Sequence, residues 1–212
     1  MTLTFEELKF LILDKQRKAE INQLFHLYVK AESYGDILRI VKSEGNFKWI
    51  FKNGFREMLQ YFPVEELENE GFYDREVTIR DSSTDIIILS NGTLNLTQTG
   101  NKRCKVICDA ARLNIELNDN SMAEIESFER SVVLLTTNSY SYGYITARDQ
   151  SQITITGNER STIFLNGLGY SVTNADLQPE SFINSVLSGD AVLNINSENY
   201  FAKQNDKSKI NA

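Results

Sequence analysis

From about residue 113 the chain repeats every ten residues, and this limits its possible folds more than any other feature. Ser121, Ser131, Ser141, Ser151, Ser161 and Ser171 share one place in the decade. Ile115, Ile125, Leu135, Ile145, Ile155 and Leu165 share another, and Leu113, Ala123, Val133, Gly143, Ile153 and Ile163 a third. The two apolar columns differ by two residues, so on a pleated strand they point to the same side, with the serines sharing their parity. One face is therefore buried. The same face ends at Leu117, Ser127, Thr137, Ala147, Gly157 and Gly167, where increasingly small residues let the backbone close at a turn. Earlier copies are expected at Ile86/Ile88, Leu94/Leu96 and Cys104/Val106/Cys108, and the last at Leu193/Ile195.

A strand and a turn every ten residues can be met by an antiparallel β-meander or by a coil that stacks parallel strands into a β-solenoid. A meander calls for Asn-Gly or Asp-Gly turns, and few of the breaks between repeats fit that description, Asn91-Gly92 being one. Stacked like residues, as in the serine column, are what registry between coils rewards. The expected fold class is α+β: a helical N-terminal region followed by a parallel β-solenoid (β-helix) of ten-residue strand-turn repeats, with the meander as the alternative. Two or three strands per coil both remain open, since each is a multiple of ten.

Before about Tyr73 the apolar spacing is helical: Leu8, Leu11 and Ile12, then Ile21, Leu24, Phe25 and Tyr28, then Ile37, Leu38, Ile40 and Val41. Thr4 and Glu7 make a capping box, Gly45 ends a helix, Asn53-Gly54 interrupts one begun near Phe47, and Pro63 suits a first helical position before a stop at Gly71. The expected organisation is a helical head or cap over 1–73, solenoid repeats over 74–173, a C-terminal cap with a last strand over 174–203, and a frayed tail over 204–212. A cap is expected because a solenoid end exposes unpaired backbone and core.

Composition excludes several functions. The chain has 22 Lys+Arg against 29 Asp+Glu, a formal charge of −7, which argues against direct nucleic-acid binding. The local basic cluster Lys102, Arg103 and Lys105 is too small to change this. A single histidine, His26, leaves little room for a His-rich metal site or a Ser-His-Asp triad. Cys104 and Cys108, four apart on one strand, stand about 13 Å from each other and cannot pair, so they read as small buried residues. There is no signal-peptide pattern and no apolar run long enough to span a membrane, so a cytoplasmic protein without membrane contact is expected. No phosphate loop, dinucleotide fingerprint, nucleophile elbow or zinc spacing occurs, and no cofactor is implied.

On the outward parity, Glu116, Glu124 and Glu126, with Asp119 and Glu129 in adjoining turns, could hold a cation or act as an acid-base pair; a solvated acidic face is the plainer reading. Val132, Leu134, Tyr142, Tyr144 and Phe164 share that parity yet are apolar or aromatic, which makes them the candidate interaction surface. Their cover could be the N-terminal helices, a second copy, a protein partner or a sugar stacked on the aromatic rings. Thr154 and Thr156, with Thr93 and Thr97, begin a threonine ladder that is not sustained, and Asn91-Gly92-Thr93 reads only as a turn.

The stretch Lys48-Trp49, Gly54-Phe55, Glu57, Leu59, Phe62-Pro63, Glu65 and Leu67, closing with Gly71-Phe72-Tyr73 and followed by repeats of the Asp119-Asn120-Ser121 type, resembles uncharacterised proteins common in gut Bacteroidales genomes and their phages. Those proteins pair a helical head with a β-solenoid tail of shorter, more regular repeats richer in Asn-Ser. The resemblance implies a phage or mobile-element origin, hence host cytosol or virion, and implies no activity. The expected function is a non-enzymatic structural or protein-binding module, an assembly component with a protein partner or self-association. The alternatives are an acidic rod-like inhibitor that imitates nucleic acid, and a carbohydrate-binding or carbohydrate-processing β-helix.

Overall fold

A computed structural model describes residues 2–18, 24–44, 47–82 and 85–212. The chain divides into two compact units, Met1–Asp74 and Arg75–Ala212. The first is helical, with α1 (Phe5–Lys18), α2 (Phe25–Lys30), α3 (Tyr34–Glu44), α4 (Phe47–Ile50), a π-turn (Phe51–Phe55), α5 (Arg56–Met58), a 3-10 turn (Leu59–Tyr61), α6 (Val64–Asn69) and the short extended β1 (Phe72–Tyr73). Leu8 and Ile12 of α1 and Ile37, Leu38 and Val41 of α3 are buried, as their helical spacing requires. Phe55 packs edge-on against Phe62 and Phe72, with centroids 6.2 Å and 6.1 Å away.

The local signals act as their chemistry dictates. The Thr4 amide donates to Glu7 Oε2 at 2.9 Å and the Glu7 amide to Thr4 Oγ1 at 3.4 Å, a reciprocal capping box ahead of α1. Asn53 and Gly54 leave helical geometry, Gly54 with φ 90°, and break the helix there. Pro63 is the N-cap of α6 rather than its first helical residue. Gly71, with φ 76°, ends it. Ile21 and Gly45 lie outside the described residues.

The second unit is a parallel β-solenoid. Its strands are β2 (Glu76–Arg80), β3 (Ile86–Ser90), β4 (Thr93–Gln98), β5 (Arg103–Asp109), β6 (Arg112–Leu117), β7 (Met122–Phe128), β8 (Val132–Thr137), β9 (Tyr142–Ala147), β10 (Gln152–Gly157), β11 (Thr162–Gly167), β12 (Val172–Leu177), β13 (Phe182–Leu187), β14 (Val192–Asn196), β15 (Tyr200–Gln204) and β16 (Lys209–Asn211). Even-numbered strands form one sheet, in the order β16-β14-β12-β10-β8-β6-β4-β2, and β3-β5-β7-β9-β11-β13-β15 run side by side in the other. Two strands therefore complete a coil. Gln152 pairs with Val132 on one side and Val172 on the other, both twenty residues away. The columns of Leu113, Val133 and Ile153, and of Ile115, Leu135 and Ile155, point between the sheets and are buried.

The serine column is two ladders, because successive turns fall on opposite edges of the coil. Each serine closes a turn: the amides of Ser121, Ser131 and Ser151 donate to the carbonyls of Asn118, Phe128 and Arg148 at 3.1, 3.2 and 3.1 Å. The Ser131 and Ser151 hydroxyls donate to the same carbonyls at 2.6 Å. Two places before the serine stands a residue with positive φ: Asp119, Glu129, Ser139, Asp149, Glu159 and Gly169.

Three expectations need correction. In β3 the inward residues are Ile87 and Leu89, which pair with Val106 and Cys108, and not Ile86 and Ile88. Four successive aliphatics carry no alternation, so the phase comes from the neighbouring strand. Residues 174–203 are not a cap: β12 to β14 continue the period, β15 follows in a shortened coil, and Pro179 sits in the turn between β12 and β13. Thr173, Ala175 and Ser185 fill inward places there and hide the apolar pattern. Residues 204–212 are not frayed, since β16 pairs with β14. Leu193 and Ile195 are thus followed by two more strands.

Candidate functional site

The outer face of the β7-β9-β11-β13-β15 sheet is where the outward parity departs from polarity. Register sets three side-chain rows across it. One runs Met122, Tyr142, Thr162, Phe182. The next runs Lys105, Glu124, Tyr144, Phe164, Asn184, Phe201, and the third Ile107, Glu126, Thr146, Asn166, Val186, Lys203. Its first rungs are charged and its later rungs aromatic.

At the charged end Lys105 Nζ donates to Glu124 Oε1 at 2.7 Å and to Glu126 Oε1 at 2.8 Å. Partial burial opposes the ammonium charge, and the bonds it donates to both carboxylates outweigh this, so the Lys105 pKa is raised. The pair expected as a cation site or acid-base couple is thus already bound to a lysine. Glu116 is on β6, in the other sheet, and does not join them. Among the described residues no group of three His, Cys, Asp or Glu is placed to hold a metal ion. His26 is exposed in α2. Cys104 and Cys108 are free and buried, and burial pushes the Cys108 thiol up to about 12, which leaves it without nucleophilic character at neutral pH.

At the aromatic end Tyr142, Tyr144, Phe182, Val186 and Phe201 are 38–61% exposed. Tyr144 and Phe164, on adjacent strands, stack with centroids 4.7 Å apart and planes 9° from parallel. The centroid separation matches the strand spacing, so each ring covers a face of the other along the solenoid axis and both present edges outward. Of the five residues expected as one surface, Tyr142, Tyr144 and Phe164 come together here. Val132 and Leu134 do not: both are on β8 in the opposite sheet, because adjacent decades belong to different sheets. Phe182, Val186 and Phe201 belong to the face and were missed. The parity of 182 and 186 signals it once the period is carried past Pro179, whereas a coil shortened to a 17-residue step, Asn184 to Phe201, hides Phe201.

The fold and this face define a two-sheeted parallel β-solenoid with one aromatic outer surface. Comparison of the chain with protein-family models, with curated proteins and with solved structures finds no match in any of the three. Among the described residues no helix is long and apolar enough to cross a membrane.

Proposed function

We propose that this chain is a non-enzymatic binding module, an assembly component that docks a protein partner on the aromatic end of the β9-β11-β13-β15 face. The observation that carries the reading is the gathering of exposed Tyr142, Tyr144, Phe182, Val186 and Phe201 on one rigid surface. Contiguous exposed apolar area on a soluble surface marks contacts, and aromatic anchors dominate protein interfaces. The edge-out stack of Tyr144 and Phe164 favours insertion among apolar side chains over a sugar, which lies on an open ring face.

Area weighs against a second copy as the partner. Four rungs of six-residue strands cover on the order of 300–400 Å², about half of what each side of a stable interface buries. A heterologous partner that reaches past the sheet fits better. Two free buried thiols suit a reducing compartment, so the cytosol is the proposed location. A phage or mobile-element origin rests on the resemblance alone.

The test is site-specific photo-crosslinking in the producing cell, with the reactive residue at Phe182 or Phe201 and, as controls, at Thr136 or Thr156 on the opposite sheet. Discrete protein adducts from the first pair, lost on adding Tyr144→Glu and Phe164→Glu, support the reading. No adducts, or equal adducts from both sheets, overturn it.

A further inference from the structure

The outer face of the even-numbered sheet carries a second surface, of different chemistry. A shallow trough of about 490 Å³ runs over β10, β12, β14 and β16, walled by Thr154, Thr156, Asn174, Asp176, Asn194 and Asn196. Its floor is backbone at Ile155 and Ile195, whose side chains point inward. A similar trough of about 410 Å³ lies over β2 to β8, and Leu134 and Thr136 stand at its end.

An amide ladder runs along the first trough. Asn194 Nδ2 donates to Asn174 Oδ1 at 2.8 Å, Asn211 Nδ2 to Asn194 Oδ1 at 2.7 Å, and Asn196 Nδ2 to Asp176 Oδ1 at 3.3 Å. A primary amide has two N–H donors and two lone pairs on oxygen. The ladder uses one donor and one acceptor of Asn194 and one acceptor of Asn174 and fixes their orientation, so the remaining donors and acceptors of the two amides are pre-set over the trough. Asparagine is also a poor strand former, so its recurrence at Asn174, Asn194 and Asn211 is not what strand formation alone selects.

We infer that this trough binds a neutral glycan chain. The walls offer donors and acceptors side by side, which is the complement of vicinal hydroxyls, each of which both donates and accepts. No cationic side chain lines the trough, so a phosphate or polyanion finds no partner. No aromatic or long aliphatic side chain lines it either, so a lipid or an apolar peptide gains nothing by burial. The amides repeat at the strand spacing, about 4.8 Å, close to the advance of one sugar along an extended glycan, and successive rungs can therefore address successive rings. This surface is independent of the aromatic face on the other sheet.

The test is a titration of the isotopically labelled full chain with short neutral oligosaccharides (cello-, manno-, chito- and malto-oligomers), with oligogalacturonate and an extended peptide as comparators. The expected result is saturable movement of the Asn174 and Asn194 side-chain amide signals by at least one neutral oligomer. The Asn174→Ala/Asn194→Ala variant should bind it about tenfold or more weakly, the loss of two neutral hydrogen bonds, while Tyr144→Glu leaves binding unchanged. If the double variant does not fold, the map of shifts on the natural chain decides alone. Absence of any neutral-oligosaccharide shift, shifts mapping to the aromatic face, or equal binding of the charged oligomer or the peptide overturns the inference.

Discussion

Gly157 and Leu177 share one volume in the solenoid interior: a Cβ on Gly157 would stand 2.7 Å from Leu177 Cδ2. The two are partners on neighbouring strands, β10 and β12. Gly157, and likewise Gly167 against Leu187 at 2.8 Å, thus receives the leucine of the next coil in addition to easing the turn. Gly157→Val should cost about 1–3 kcal/mol by overpacking, and Leu177→Ala about 2–5 kcal/mol, because no atom of Gly157 can fill the void. The decisive measurement is a double-mutant cycle by chemical denaturation. Gly157→Ala should destabilise the natural chain and be neutral or stabilising in the Leu177→Ala background; independent effects would refute the shared volume.

Gly92 is constrained by backbone instead of a side chain. Its Cβ would stand 2.4 Å from the Arg75 carbonyl oxygen and 2.7 Å from the Arg75 nitrogen, neither of which can rotate away. Gly92→Ala should therefore cost about 3 kcal/mol or more, against a smaller loss for Gly157→Ala, where a flexible leucine tip can yield. Hydrogen exchange locates the damage: amides of Glu76–Arg80, paired with β4, should lose protection first. Unchanged exchange there would mean that the close approach is not structural.

The solenoid was legible because Ile115, Leu135 and Ile155 recur with a parity that only a half-buried strand explains. The coil size was also present, unread. Asn118, Asn138 and Asn158 recur at twenty residues and join in a turn ladder, with Asn138 Nδ2 to Asn118 Oδ1 and Asn158 Nδ2 to Asn138 Oδ1 both at 2.8 Å. The intervening decades hold Phe128, Arg148 and Leu168 at that place. Like residues at alternate decades mean two strands per coil. Without that step Val132 and Leu134 were grouped with Tyr142, although they lie on another sheet. The aromatic face beyond Pro179 and the amide trough were illegible for a different reason. Both depend on which outward residues become neighbours, and a ten-residue period leaves that undetermined until the register is known.

The turns carry strain that one substitution can release. Glu129 has φ 54° and Asp119 φ 58°, a conformation that costs an ordinary L-residue roughly 1–2 kcal/mol and that Asp tolerates better through local hydrogen bonding. Glu129→Gly should therefore stabilise the solenoid, by on the order of 0.5–1 kcal/mol after the extra entropy of glycine in the unfolded chain is counted. Asp119→Gly should gain less, because its carboxylate accepts from the Gly100 amide at 3.3 Å. Thermal unfolding of the two variants side by side reads the difference, and a larger gain at 119 would contradict it.

Asp36 gives the helical unit a specific acid sensitivity. Its carboxylate accepts from Arg39 Nη2 at 2.8 Å and from the Glu32 amide at 2.9 Å, and these bonds, the arginine's first, lower its pKa to about 2. A carboxyl depressed on folding contributes stability that is fully present above its unfolded value, about 3.9, and is lost as pH falls through the folded value. The contribution of this group should therefore fade between about pH 4 and pH 2 and be constant through neutrality. Most of the side chain's surroundings are solvent, so the effect on stability is small, and the carboxyl signal itself is the better readout. In the natural chain the Asp36 carboxyl carbon should titrate near 2. In Arg39→Gln it should move up towards the ordinary range, because the largest stabilising partner is gone while the Glu32 amide remains. A midpoint unmoved by that substitution would assign the depression to the Glu32 amide and the Ser33 hydroxyl instead.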